Sequence, residues 1–459
     1  MSGSTTEPDP TRLARVPLLV VCLGYFLVIL DTTVVNVALP AIGRGVHARV
    51  GGLQWVVDAY TVVLAGLLLS AGALGDRLGS RRVFVAGLVL FTAASAACGL
   101  APSLALLVGA RVLQGAGAAL LVPTSLALLH AAHPDRAARA RAVGAWGAIA
   151  GVAAASGPIV GGAVTSALSW RVAFLVNIPL GVAGLALSGR HLPDPPGTPR
   201  RGLDLAGQLA GIAALASLTA ALIEGGSRGF TSVGVAAGLL VALIAAAAFV
   251  LIERRAESPM LPLGLFRRPD LSAGTAIGLA INLAFYGQLF VASLYFQHLR
   301  GYSPLGAGLA LLPLAILVSL GSALSGQTTA RRGPRVTMLA GLCLGAAGFL
   351  GWTLVGAHSA YPLLVPALLA IGFGMSYTMP AATTAVTDSA PPGRVGLAGG
   401  ALNASRQVGS ALGVALLGSL VAGGGFIAGM HAAGAVAAAT FLAAAGIALR
   451  WVGRTAPGM

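Results

Sequence analysis

The chain has no lysine: all 28 of its basic residues are arginine, set against 13 acids in 459 residues. That absence removes two classes of function. A Walker A loop needs its lysine on the nucleotide phosphates, so no such ATP site is present. A retinal pigment needs a lysine for its Schiff base, so that class is excluded too. Charge of either sign is scarce. Only 9% of residues are charged and 57% are hydrophobic, and mean hydropathy is +0.89. Soluble domains carry about 25% charged residues, so the chain reads as an integral membrane protein. Cysteine is nearly absent as well. Cys22, Cys98 and Cys343 stand singly in apolar segments, with no metal or disulfide spacing, and are expected to be small buried hydrophobes. His130 and His133 of "HAAH" have helical spacing for a metal but lack a third ligand. With no nucleophile–base constellation either, no enzyme, cofactor or metal site is expected.

What the chain has in abundance is long apolar runs. A hydrocarbon core of about 30 Å needs roughly 20 residues of helix. On that basis fourteen segments are predicted, near 16–39, 53–75, 83–101, 104–129, 141–167, 172–189, 203–223, 232–252, 271–297, 304–325, 336–356, 361–386, 396–422 and 427–449. An even number places both termini on one side. With that side inside, twenty-one arginines fall in inner loops and tails, and five (Arg44, Arg49, Arg171, Arg228 and Arg300) fall outside. This is the positive-inside pattern, so the net charge of +15 is topological and nucleic acid is not expected as a partner. The polar tail "MSGSTTEPDPTRLAR" is followed by no small-residue cleavage site, and the first apolar run is read as a retained helix.

The chain also repeats itself. "GALGDRLGSRRVFVAG" (72–87) aligns without gaps to "GQTTARRGPRVTMLAG" (326–341) at an offset of 254. "GAGAALLVP" (115–123) aligns to "GFGMSYTMP" (372–380), and "GPIVGG" (157–162) to "GVALLG" (413–418), at nearly the same offset. The predicted organisation is a six-helix bundle at 1–190, a linker with two extra helices at 191–268, and a second six-helix bundle at 269–459. Two parallel six-helix halves with substrate held near the midplane is a secondary-transporter architecture.

Two charges inside the predicted helices frame a site. Asp31 lies eight residues before Leu39, about 12 Å below that end, and Arg111 lies seven residues into the fourth segment, about 10–11 Å down from the same side. An acid costs roughly 2.5–3.5 kcal/mol at the centre of a membrane helix. Equal depth therefore suggests that the two neutralise each other or share a polar cavity. Burial and a neighbouring guanidinium act oppositely on a carboxylate's hold on a proton, so a change in their separation would switch protonation. A static structural pair locking two helices is the other reading. Asp58, near the outer end of the second segment, is a second candidate acid or an interfacial group in water. Arg406, about ten residues into the thirteenth segment, has no acid at its depth; it would bond carbonyls or be reached by Glu224.

The stretches "LDTTVVNVALP", "QWVVDAY", "GALGDRLGSRR", "RVLQGAGAALLVP", "GVAAASGPIVGG", "WRVAFLVNIPLG", "LYFQHLRGYSPLGAGLALLP" and "GLAGGALNASRQVGSALG" together resemble the major facilitator superfamily, specifically its fourteen-helix drug:proton antiporter branch. The similarity covers essentially the whole chain. It implies an all-α membrane protein of two pseudo-symmetric six-helix bundles plus two linker helices. It also implies a proton-coupled antiporter that exports amphipathic small molecules across a bacterial cytoplasmic membrane, with both termini cytoplasmic. The coupling ion is then the proton, carried by Asp31 with Arg111 and Asp58. The expected partners are the bilayer and a small amphipathic substrate, with no nucleotide, and the chain is expected to be monomeric. Gly72, Asp76, Arg77, Gly79, Arg81 and Arg82 would form a latch in the loop after the second helix. There the glycines would allow close approach, Asp76 would meet a helix N-terminus across the interface, and the arginines would meet headgroups and acids; plain positive-inside charge explains the arginines alone. Gly151, Gly157, Pro158, Gly161 and Gly162 resemble the fifth-helix pattern that marks antiporters, with ordinary small-residue packing as the alternative. For the substrate cavity the candidates are Asn36, Asn282, Tyr286, Gln288 and Phe290, with Tyr377, Met379, Asn403 and Arg406 from later segments, or core packing in their place. A carrier for one defined metabolite or self-made antibiotic would have the same fold. A non-transporting receptor or scaffold would leave the paired charges unexplained.

Overall fold

In hydrocarbon an apolar segment can satisfy all its backbone N–H and C=O groups alone only as a helix. The computed structural model describes residues 10–133, 135–193, 204–391, 394–423 and 425–453, and among them there is no strand. The helices are α1 (Pro10–Gly45), α2 (Val50–Leu78), α3 (Ser80–Leu100), α4 (Leu104–Ala132) and α5 (Arg136–Ala167). Next come α6 (Val172–Leu175), α7 (Asn177–His191), α8 (Leu205–Arg228), α9 (Val233–Arg255) and α10 (Pro269–Leu294). The last are α11 (Pro304–Ala310), α12 (Leu312–Trp352), α13 (Tyr361–Asp388), α14 (Val395–Ala422) and α15 (Phe426–Trp451). Several starts are fixed by side-chain caps. Asp135 Oδ2 accepts from Ala138 N at 2.7 Å, Asp204 Oδ1 from Gly207 N at 2.8 Å and Ser303 Oγ from Gly306 N at 3.0 Å. Both chain ends and residues 194–203 of the predicted linker, with Arg200, Arg201 and Arg454, lie outside the described residues.

Among the described residues thirteen helices are long and apolar enough to cross a membrane, where fourteen segments were expected. The difference falls at the predicted segments 304–325 and 336–356. These run together in the 41-residue α12, with α11 split off before it. Within α12 the backbone leaves helical geometry at Gly333 (φ 81, ψ 163), immediately before Pro334. The predicted segment 172–189 is likewise divided into α6 and α7. Cys343 is exposed on the apolar outside of the bundle rather than buried.

The repeat seen in the sequence reappears in the backbone. Gly79 (φ 94) closes α2, and Gly333 (φ 81), 254 residues later, interrupts α12. His47 (φ 51) and Gly301 (φ 67), also 254 residues apart, both precede the helices that start at Val50 and Pro304. The conformation of Gly333 is essentially restricted to glycine. Gly333→Ala is therefore expected to cost about 1–3 kcal/mol in the unfolding transition of the detergent-solubilised protein. Gly326→Ala, where an added Cβ meets nothing within 4 Å, should leave the midpoint unchanged or slightly raised.

The helices α1–α7 and α10–α15 meet closely at one end of the bundle, the end of the α1–α2 connection. There Gln54 Nε2 donates to the carbonyls of Val414 (2.9 Å) and Ala415 (2.8 Å). Ser293 Oγ donates to Asn36 O at 2.6 Å, Gln297 Nε2 to Val37 O at 2.8 Å, and Leu305 N to Ser166 Oγ at 3.0 Å. One face of α5 shows how contact fades toward the opposite end. Gly162 lies against Pro304 and Leu305, the Pro158 carbonyl presses on Gly308, and Ala154 lines a cavity. Further along the same face Gly147 and Gly144 would present a Cβ to empty space. Along this face of α5 a cleft thus opens away from the α1–α2 end, while α2 and α14 stay in contact as far as Leu69 and Gly400. The α8–α9 hairpin packs through α8 against α2 and α14, beside the seam.

Candidate functional site

The apolar stretch around "LDTTVVN" satisfies most of its own polar groups. Thr32 Oγ1 donates to Val28 O at 3.0 Å, Thr33 Oγ1 to Ile29 O at 3.1 Å, and Asn36 Nδ2 to Thr32 O at 2.7 Å. Asp31 has no such local recourse, and four other helices supply its surroundings. Arg111 Nη1 on α4 reaches Asp31 Oδ2 at 2.5 Å, with both side chains buried at 1% and 0% exposure. Gln114 Nε2, one turn on, donates to Asp31 Oδ1 at 2.8 Å, and Asn177 Nδ2 on α7 donates to the same oxygen at 2.9 Å. Gln114 Nε2 also donates to Ser95 Oγ on α3 at 2.9 Å. The guanidinium is held from every side. Its Nε donates to Val56 O on α2 at 2.9 Å, its Nη1 also donates to Gln114 Oε1 at 2.7 Å, and the Tyr60 ring lies 4.2 Å below it. Breaking such a buried pair is costly, because the orphaned partner keeps its full desolvation penalty. Depth counting did pair these residues, although α1 runs on to Gly45 and Asp31 lies 14 residues, about 21 Å, from its end.

Gln114, Asn177 and Ser95 were not read from the sequence as site residues. The signal for Gln114 is its place three residues after Arg111, on the same helix face. For Asn177 it is an amide inside the apolar run "FLVNIPLG".

Asp58 is fully buried, and neither carboxylate oxygen has a hydrogen-bond partner, so it is not an interfacial group in water. It precedes by one turn Val62, which packs with Ala65, Leu215 and Ala411 where α2, α8 and α14 meet. Thr219 on α8, whose hydroxyl is also buried and unpartnered, stands at a similar level, because Gly51 lies against Ile223 and Gly66 against Ile212.

A profile of the Major Facilitator Superfamily matches residues 21–414, most of the chain. The chain belongs to the Major Facilitator Superfamily. Multidrug resistance protein Stp of Mycobacterium tuberculosis (strain CDC 1551 / Oshkosh) is 39% identical over 411 residues, covering 90% of this chain and 76% of that protein. The methylenomycin A resistance protein of Streptomyces coelicolor (strain ATCC BAA-471 / A3(2) / M145) is 38% identical over 395 residues, 86% of this chain and 83% of that protein. The tetracenomycin C resistance and export protein of Streptomyces glaucescens is 35% identical over 422 residues, 92% and 77% respectively. As a Major Facilitator Superfamily member, the chain is a multi-span membrane protein of a carrier family.

In this Major Facilitator fold the remaining predicted residues are only partly brought together. Gly79 does take the positive φ that the α2–α3 turn requires. Close approach, however, falls at Gly75, where a Cβ would come within 2.9 Å of Thr124 Cγ2, and not at Gly72, which has only Pro123 Cβ at 3.6 Å. Asp76 is exposed and, among the described residues, accepts no hydrogen bond from a helix N-terminus. Arg77 and Arg82 are exposed, while Arg81 donates to the Gly189 carbonyl on α7. On α5, Gly157 lies against Thr33 and Gly161 against the Val34 backbone of α1, while Gly162 meets α11. Gly151 is part-buried.

Of the cavity candidates, Tyr286 lines an apolar cavity with Thr33, Phe285, Leu289 and Met375. Phe290 does not: it is fully buried in the core against Gly418, because its α10 face turns toward α14. Asn36 is buried with Oδ1 unpartnered, Asn282 Nδ2 is spent on Gly278 O at 2.8 Å, and Gln288 is buried with neither amide atom bonded. The Tyr377 hydroxyl is 2.7 Å from Thr328 Oγ1; Met379 and Asn403 are part-buried. Arg406 bonds the Met379 carbonyl at 3.2 Å, and Glu224 pairs with Arg228 at 2.7 Å instead of reaching it. His133 bonds its own helix at Leu129 O, 3.0 Å away, and His130 is exposed.

Proposed function

We propose that the chain is a proton-driven exporter of amphipathic small molecules that works by alternating access. The observation that carries this reading is Asp31, fully buried within a membrane-spanning helix and bonded at once to Arg111, Gln114 and Asn177. The names of the relatives, which are resistance and export proteins, supply the class of cargo. An intramembrane acid with a partner on another helix marks a proton or substrate path. Separation of α1 from α4 during rocking changes what surrounds Asp31, and with it whether Asp31 holds a proton. Asp58, buried without partners, is a second carrier site. A potential of about 100 mV is worth roughly 2.3 kcal/mol per charge, enough for about a fifty-fold gradient before any pH difference is added.

Counting α12 as two crossings separated at Gly333 makes fourteen, with residues 1–190 and 269–459 as matched bundles and α8–α9 as the linker pair. The two positive-φ pairs 254 residues apart support this division. The arginine bias then puts both termini in the cytoplasm of a bacterial cell, and the cleft faces inward. On this reading Asp76 engages only when that end closes, which makes the α2–α3 loop a latch for the outward-open state. The small residues of α5 form the seam that keeps protons from leaking past the cargo. The protein works as a monomer, with the proton as its one coupling partner. A second reading, export of one self-made antibiotic, draws on relatives named for single compounds, such as the tetracenomycin C protein.

The test uses everted vesicles with an acid interior and a panel of fluorescent amphipaths. Native protein is expected to drive uptake, and Asp31→Asn to reduce it at least about tenfold, to the level of empty vesicles. Equal uptake by the two would remove Asp31 from the coupling. No gradient-driven uptake of any compound by native protein would overturn the export reading.

A further inference from the structure

Two arginines lie within the membrane-spanning part of the bundle, Arg111 fully buried and Arg406 part-buried, and only Arg111 has an acid. Arg406 stands 11 residues into α14, about 16 Å along the helix. Its Nη2 donates to Thr383 Oγ1 at 2.7 Å and to the Met379 carbonyl at 3.2 Å, both on α13. Its stem passes Gly278 on α10, and it lies within electrostatic reach of Tyr25 on α1 and Tyr286 on α10. Its Nε is buried with no hydrogen bond. The ion pairs within 4 Å among the described residues are Arg111–Asp31 and Arg228–Glu224, so no carboxylate answers this cation. Asp58 sits on the seam toward α8 and forms no bond to it. A cation at this depth without a counter-charge is expensive, and such residues mark substrate or ion paths.

Tyr286, within electrostatic reach of Arg406, lines the apolar cavity with Phe285, Leu289, Leu314, Val318 and Met375. An apolar wall beside an unanswered guanidinium has the complementarity of an amphipathic acid. Resting on the export reading above, we propose that Arg406 receives the anionic group of the exported molecule, a carboxylate or sulfonate. The apolar body of that molecule lies against Phe285, Leu289 and Met375. Asp31 is already neutralised by Arg111, so Arg406 sets the sign of charge the cleft selects. One further consequence concerns charge movement. Exchange of one inward proton for one outward monoanion moves two charges per cycle, whereas exchange for a monocation moves none. An inside-negative potential therefore accelerates export of an anion.

The test compares three probes with one apolar body: 1-pyrenebutyrate, 1-pyrenebutanol and 1-pyrenebutyl-trimethylammonium. Binding is read by fluorescence on purified protein, and accumulation in everted vesicles with an acid interior. Native protein is expected to bind the carboxylate at least about tenfold more tightly than the alcohol, and the cation most weakly. Arg406→Gln should abolish the preference while holding affinity for the alcohol within about threefold, and Arg406→Lys should retain most of it. If native protein binds the alcohol or the cation as tightly as the carboxylate, the proposal is wrong, and no variant is needed to show it. Persistence of the preference in Arg406→Gln would equally overturn it. Gradient-driven uptake of the alcohol with no advantage for the carboxylate would sink this inference and leave export standing. Failure to accumulate any of the three would remove the export reading and this inference with it.

Discussion

Replacing Arg111 with leucine should destabilise the protein by about 3–5 kcal/mol, the largest single-site loss expected in the bundle. The guanidinium is the one cation that answers Asp31, and it also serves the Val56 carbonyl, Gln114 and the Tyr60 ring. Without it a carboxylate at 0% exposure keeps only two neutral amide donors. Asp31→Asn combined with Arg111→Leu removes the stranded charge, so the double variant should recover more than half of the loss. Unfolding transitions of the four proteins in detergent give the coupling energy directly. A single-variant cost below about 1 kcal/mol, or losses that simply add, would mean the two charges do not depend on each other.

Gly308→Leu should impair alternation more than stability. A side chain on Gly308 would run into the Pro158 carbonyl, and both partners are backbone, so no rotamer can move aside. The penalty of about 1–3 kcal/mol falls only on the state closed at the α1–α2 end, lowering its population about 5- to 150-fold relative to the other. Spin labels at Arg49→Cys and Leu354→Cys, exposed sites at that end, should report a longer distance in Gly308→Leu than in native protein. Transport should fall by a similar factor. An unchanged distance distribution with normal transport would show that this contact does not gate the closed end. Gly162→Val offers the same test from the α5 side, since its Cβ would come within 2.7 Å of Pro304 O.

Much of this molecule was legible in its sequence because a bilayer leaves few choices. Apolar length sets each helix, and a charge within one must find a partner, so Asp31 and Arg111 could be matched by depth alone. Neutral polar groups announce themselves less. Gln114, Asn177 and Ser95 complete the cluster, yet an amide or hydroxyl in an apolar run has other local uses, as Asn36 and Asn282 show by bonding their own helices. Depth also says nothing about direction. Asp58 could be placed along α2 but not turned toward α8, and Phe290 faces the core although it shares α10 with Tyr286. Counting residues likewise did not separate Gly72 from Gly75, because which glycine meets Thr124 depends on how α2 crosses α4. The break at Gly333 was marked by Gly-Pro in a basic turn and by its alignment with Gly79. The continuity of helix up to both sides of it was not.

Purified protein in weakly buffered detergent solution offers the most direct test of proton exchange at Asp31. Saturating amphipathic ligand should draw native protein into the state in which Arg111 pairs with the ionised Asp31, releasing protons read by a pH-sensitive dye. Release should fall to the level of a ligand-free control in Asp31→Asn that still binds the ligand. Undiminished release from that variant would place the exchanging carboxyl elsewhere and contradict the coupling role given to the Asp31–Arg111 pair.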